Sequence, residues 1–118
     1  LSLYNDCFLD HFRNPRNVGR LDPPAVAVQV ENPACGDVMR LSVLFENGLV
    51  QDVRYQVRGC TASIAAGSAL TECMLGKSRT ELAALTRPAI EAAVGGLIPE
   101  SKHAAALCTD AVKALLRL

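Results

Sequence analysis

The chain has 118 residues, half of them apolar and a fifth charged, and its 12 basic and 12 acidic side chains cancel. That length fits one domain, 1–118, with a real core. Zero net charge argues against nucleic acid as a partner, and no apolar run reaches the roughly 20 residues that span a bilayer.

The N-terminal residues lack a basic region followed by an apolar core, so no signal peptide is expected. The five cysteines are odd in number and scattered. This favours a reducing cytoplasm, with thiols kept for metal or sulfur chemistry. Leu3, Tyr4, Cys7, Phe8, His11 and Phe12 recur at helical spacing and predict a short amphipathic helix over 2–13. Cys7 is expected on its buried face, and His11 likewise with a wet tip. Asn14-Pro15-Arg16-Asn17-Val18-Gly19 ends that helix, because proline disfavours helix before it and glycine closes the turn.

Ala25 to Glu31 alternates and is Val-rich, so it predicts a strand whose start Pro23-Pro24 keeps at a sheet margin. Residues 38–46 and 49–57 alternate too. Glu46-Asn47-Gly48 between them is a hairpin signal, since Asn-Gly accepts positive φ. The expected sheet is an antiparallel meander.

Two motifs flank the hairpin: Asn32-Pro33-Ala34-Cys35-Gly36-Asp37 enters its first strand, and Arg58-Gly59-Cys60-Thr61 leaves its second. Antiparallel neighbours place the start of one beside the end of the other, so Cys35, Asp37 and Cys60 should meet at one end of the sheet. Sulfur and carboxylate donors together suit zinc and iron.

Thr61 to Leu75 predicts an Ala-rich helix with hydroxyl cap candidates at its start and Gly76 at its end. Cys60 then sits at a helix N-terminus, where free N–H groups favour an anionic sulfur. Cys73, three turns on, is expected to be packed. Residues 78–94 predict two short helices, the second starting near Pro88. Gly95-Gly96-Leu97-Ile98-Pro99 breaks the pattern. Ser101 is the expected cap of a last helix ending near Leu116, with Ala104, Leu107, Cys108, Ala111, Val112 and Leu115 on its apolar stripe.

These motifs resemble the NifU/IscU-type iron–sulfur cluster scaffold proteins. His11 to Gly19 is similar to that family's N-terminal signature. Ala34-Cys35-Gly36-Asp37 and Gly59-Cys60 are similar to its first two cysteine motifs, and Thr71-Glu72 with Gly76-Lys77-Ser78 to the segment after them. The resemblance implies an α+β fold, a three-stranded antiparallel sheet with helices packed on it. It implies an assembly site containing Cys35, Asp37 and Cys60. The implied activity is non-enzymatic: accepting persulfide sulfur from a cysteine desulfurase, binding iron or zinc, then holding a [2Fe–2S] cluster and passing it to acceptor proteins.

The chain departs from the family at the third cysteine. Aligning Asp110 to Ala114 with the family's last helix puts His103 on the family's histidine and Ala104 where the cysteine should be. Cys108 lies four residues further, about 6 Å along the axis. Either His103 completes the metal site, the register preferred here, or the helix slips and Cys108 reaches it. Leu97 to Lys102 keeps little of the Leu-Pro-Pro-Val-Lys stretch of scaffolds served by a dedicated Hsp70 chaperone, so that partner is not implied. The missing thiol leaves an alternative function: a non-assembling homologue, a zinc-binding desulfurase partner or regulatory adaptor.

Overall fold

Asn5 starts the first helix: its side chain accepts a hydrogen bond from Phe8 N, and helix α1 runs Asp6–Arg13. The structure, a computed structural model, describes residues 4–118, so positions 2 and 3 of the helix expected over 2–13 lie outside the described residues. Three strands follow, β1 (Val26–Glu31), β2 (Val38–Glu46) and β3 (Leu49–Arg58). They form an antiparallel meander in the order β1-β2-β3. Asn47 and Gly48 take φ of 55° and 78°, the two positive values that a tight hairpin with right-handed strand twist requires.

Alternation sends Met39, Leu41 and Val43 of β2 and Val53 and Tyr55 of β3 into one buried face. Helix α2 (Thr61–Met74) lies over β3, and α5 (His103–Leu116) over β1 and β2. The small residues of α2 let its backbone approach closely. A Cβ on Gly67 would stand 2.4 Å from the Tyr55 ring, and the Tyr55 hydroxyl donates to Ile64 O at 2.7 Å. Two short helices, α3 (Arg79–Ala83) and α4 (Arg87–Ala93), close the side. Ser78 and Glu81 form a capping box on α3, and Thr86 caps α4 with proline in its first turn. No helix among the described residues is long and apolar enough to cross a membrane.

The proline loop after α1 is a strap. Arg16 N donates to Ser68 Oγ (2.9 Å), and Asn17 Nδ2 to Thr71 Oγ1 (3.1 Å), both on α2. Tyr55 N donates to Asn17 O, and Gly19 N to Tyr55 O, each at 2.9 Å, on the edge of β3. The strap therefore ties the end of α1 to both layers and shields part of the sheet edge.

Four local expectations are corrected. Cys7 is exposed, its thiol 3.6 Å from Ala93 O; α1 buries Phe8 and His11, three residues apart, and that narrow stripe leaves Cys7 outside. Cys73 is half-buried rather than fully packed. The tip of His11 is not wet: the residue is buried, between Ser68 and Glu72. Ser101 does not cap α5. Its hydroxyl bonds Tyr4 OH at 2.8 Å within a 3₁₀ turn (Pro99–Ser101), and α5 starts at His103 without a side-chain cap.

Candidate metal centre

The Cys35 loop is closed by its own asparagine. Asn32 Oδ1 accepts from Ala34 N (2.9 Å) and Asn32 O from Gly36 N (2.7 Å), while Asn32 N donates to Asp37 O (2.8 Å). Gly36 takes φ of 76° to complete the turn. Cys35 is left exposed at the tip and Asp37 is drawn in, 6 % exposed. Val38 pairs with Arg58, so the exit of β3 passes directly beside Asp37.

Three groups converge on the Asp37 carboxylate. Ser63 Oγ donates to Oδ2 at 2.7 Å, Cys60 N donates to the same oxygen at 3.3 Å, and His103 Nε2 lies 3.6 Å away. Burial alone raises the carboxyl pKa, but the bonds from Ser63 and Cys60, with the His103 ring beside them, outweigh it and leave it below 3.8. Gly59 makes the approach feasible, because a Cβ there would lie 2.4 Å from the Asp37 carboxyl carbon. Its glycine is required by space, not by an unusual φ.

Cys60 is the N-cap residue of α2, and its Sγ is 3.3 Å from His103 Nε2 and 3.5 Å from Ser63 Oγ. His103 opens α5, with Nδ1 3.1 Å from Glu100 O. A carbonyl only accepts, so the Nδ1 that faces it carries a proton, and Nε2 is the ring nitrogen turned toward Cys60 and Asp37. One ligand atom each from Cys35, Asp37 and His103 lies within 4.8 Å of the others. The centre is graded in depth: Cys35 exposed, Cys60 and His103 half-buried, Asp37 buried.

Cys108 stands apart from these donors. It is fully buried on the core face of α5, and burial pushes its thiol well above the ordinary range. A neutral thiol inside apolar packing is no metal ligand. Ala104, beside His103, is fully buried and adds no donor.

Ser63 and the Glu100 carbonyl did not emerge from sequence reasoning. Ser63, three residues after Cys60, read as one of several hydroxyls at a helix start. Only the fold shows that it serves Asp37, 26 residues away. The Glu100 carbonyl carries no side-chain signal at all.

Residues 3–117 match the family described as NifU-like N terminal domain. The chain is 38 % identical over 111 residues to iron-sulfur cluster assembly scaffold protein IscU 1 of Archaeoglobus fulgidus, an alignment covering 94 % of this chain and 72 % of that protein. It is 39 % identical over 118 residues to iron-sulfur cluster assembly scaffold protein IscU of Azotobacter vinelandii, covering 97 % and 91 %. Among solved structures, FiSufU of Fervidobacterium islandicum AW-1 superposes with a TM-score of 0.77 at 19 % identity, covering 96 % of each chain, and so shares the fold.

Proposed function

Because the chain belongs to the NifU-like N-terminal domain family, we propose that it is an iron–sulfur cluster assembly scaffold with its site at Cys35, Asp37, Cys60 and His103. The observation that carries this is the convergence of sulfur, carboxylate and an imidazole nitrogen at one open end of the sheet. The cluster is cargo here, and the protein is a platform for it, not a catalyst.

Each residue then has a part. Cys35, at the exposed loop tip, is the sulfur that a cysteine desulfurase's persulfide reaches first. Its thiolate attacks the terminal sulfur and the donor leaves as a thiolate, so no oxidant is needed. Cys60 and Cys35 supply two soft ligands. His103 Nε2 supplies a third, oriented by the Glu100 carbonyl in the way second partners fix ligand imidazoles. Asp37 is the weak member. An ionised oxygen already sharing its lone pairs with Ser63 and Cys60 N holds iron less firmly than a thiolate would. A cluster held so is ready to leave for an acceptor protein.

A second reading rests on Ala104. With two thiolates rather than three, zinc competes well for the same donors, and the protein would serve as a zinc-bound desulfurase partner or adaptor. Anaerobic reconstitution with iron and sulfide, followed by visible absorbance and iron and sulfide counts, decides between them. The scaffold reading expects a [2Fe–2S] spectrum in the unmodified protein and none in Cys60→Ala. A folded protein that binds zinc but never develops the spectrum supports the second reading instead.

A further inference from the structure

The face of the sheet turned away from the helices is uneven in charge. Met39, Leu41 and Val43 point into the core, so Val38 and Arg40 point outward. Register places Gln29, Arg40 and Gln56 in one row across all three strands, and Arg58 beside Val38 in the next. With Val57 these residues line a cleft of about 330 Å³.

In the row on the far side of Arg40, Arg54 is paired with Asp52. Arg40 and Arg58 have no such partner: among the described residues, no carboxylate lies within 4.0 Å of either guanidinium. Arg40 Nε is buried and has no hydrogen-bond partner at all. A buried charged donor left unpaired is costly, and natural structures rarely keep one without use. Glu31, across Val38 from Arg58, is exposed and pairs with neither arginine.

We propose that this cleft is a docking site for an acidic segment of a partner protein, whose carboxylates pair with Arg40 and Arg58 and hydrogen-bond Gln29 and Gln56. A guanidinium fork matches a carboxylate in two parallel bonds, and the amides extend that donor row. The donors spread over three strands with Val38 between Arg58 and the β1 edge, which suits a peptide with several contacts better than a lone small anion. Position adds the purpose. Val38 directly follows Asp37, and Arg58 directly precedes Gly59-Cys60, so a segment seated here brings its owner to the rim of the metal centre. That purpose rests on the scaffold reading above; the docking itself does not.

The test uses a capped hexaglutamate peptide and inorganic phosphate as probes, titrated separately into ¹⁵N-labelled protein at low salt. The peptide is expected to shift the amides of Gln29, Arg40, Gln56 and Arg58, and to bind about ten-fold more weakly to Arg58→Gln and to Arg40→Gln, as loss of a charge-assisted bond predicts. Arg58 is exposed, so Arg58→Gln keeps the test sound if Arg40→Gln fails to fold. Shifts centred on other basic residues, equal binding to the variants, or phosphate binding as tightly as the peptide would each overturn the proposal. Cluster loading is read separately on the same proteins. An unmodified protein that binds the peptide but never holds a cluster sinks the scaffold reading and leaves the docking site standing.

Discussion

The two histidines of this chain make an instructive pair. Each is near a hydroxyl or thiol and a carboxylate. His11 bonds Ser68 Oγ at 2.7 Å through Nδ1 and lies 3.5 Å from Glu72 through Nε2. His103 lies 3.3 Å from Cys60 Sγ and 3.6 Å from Asp37. The first trio looks like catalytic machinery, but it is saturated and closed. Ser68 is fully buried and also accepts from Arg16 N, so its bonds lock the strap and α1 onto α2. The second is open: its Nε2 faces the half-buried Cys60 sulfur at the end of the sheet. What separates a lock from a site is whether a group keeps a donor atom available after the fold has used what it needs.

The largest effect that sharpens this contrast should come from the open end. Cys35→Ala and Cys60→Ala each remove a proposed ligand. Zinc affinity, measured by competition with a chromophoric chelator, should fall by more than the roughly 10–100-fold that loss of a second-sphere partner costs. Ser68→Ala, at the closed end, should leave zinc affinity within about two-fold of the unmodified protein while lowering stability by ~1–3 kcal/mol, the cost of an orphaned buried group. Equal loss of metal in all three variants would erase the distinction.

Gly59→Ala comes next. Its new Cβ would need the space that the Asp37 carboxyl occupies, 2.4 Å away. We expect ~1–3 kcal/mol of destabilisation from overpacking, read by urea denaturation, together with weakened metal binding. Gly67→Ala offers the matched control: it drives a Cβ into the Tyr55 ring at 2.4 Å, about two helical turns along α2 from Cys60. It should cost comparable stability and leave metal binding alone.

The hairpin and the meander were legible because their signals are local. Asn47-Gly48 can adopt positive φ where most residues cannot, and the alternation of β2 and β3 then sets the register. That register also set the expectation that Cys35, Asp37 and Cys60 meet; Asp37 accepts from Cys60 N, while the donor atoms within 4.8 Å of one another are those of Cys35, Asp37 and His103. What could not be read was which face of a short helix is buried. Over the eight residues of α1, Cys7 and Phe8 are both plausible core positions, and tertiary packing buries Phe8 and leaves Cys7 exposed. The start of α5 was hidden for a similar reason. Ser101 is a good cap in isolation, but Tyr4, 97 residues away in sequence, claims its hydroxyl.

The closed histidine should show itself in the acid limb of stability. Burial depresses the His11 pKa, and the nearby Arg16 charge pushes it the same way, while Glu72 and Asp10 oppose them without prevailing. The folded value thus lies below 6.5, and between the two the unfolded chain binds more protons. Stability from the neutral ring is complete above pH 6.5 and is lost as pH falls from there toward the folded pKa. The slope is at most about 1.4 kcal/mol per pH unit for one group. Urea midpoints taken from pH 7.5 to 5 should decline in the unmodified protein, and the decline should flatten in His11→Gln whatever that variant's overall stability. An unchanged slope would mean that the ring is not held neutral by its surroundings.

The smallest effect expected is at Cys108, and it bears directly on where the metal centre ends. If α5 begins at His103 in solution as in the structure, Cys108 is a core side chain with an undissociated thiol. Cys108→Ala then removes one buried heavy atom, comparable to deleting a methyl, and should cost about 1 kcal/mol. The melting temperature would fall by roughly 4 °C. Zinc affinity and the lifetime of a reconstituted cluster should not move, because neither depends on a sulfur inside the core. The exposed Cys7 gives the baseline: Cys7→Ala should change neither stability nor metal binding beyond error. A folded Cys108→Ala protein that loses its cluster would require α5 to slip by about a turn when the cargo binds. His103 would then leave its place beside Cys60, and the open end of the molecule would be built around a different helix register.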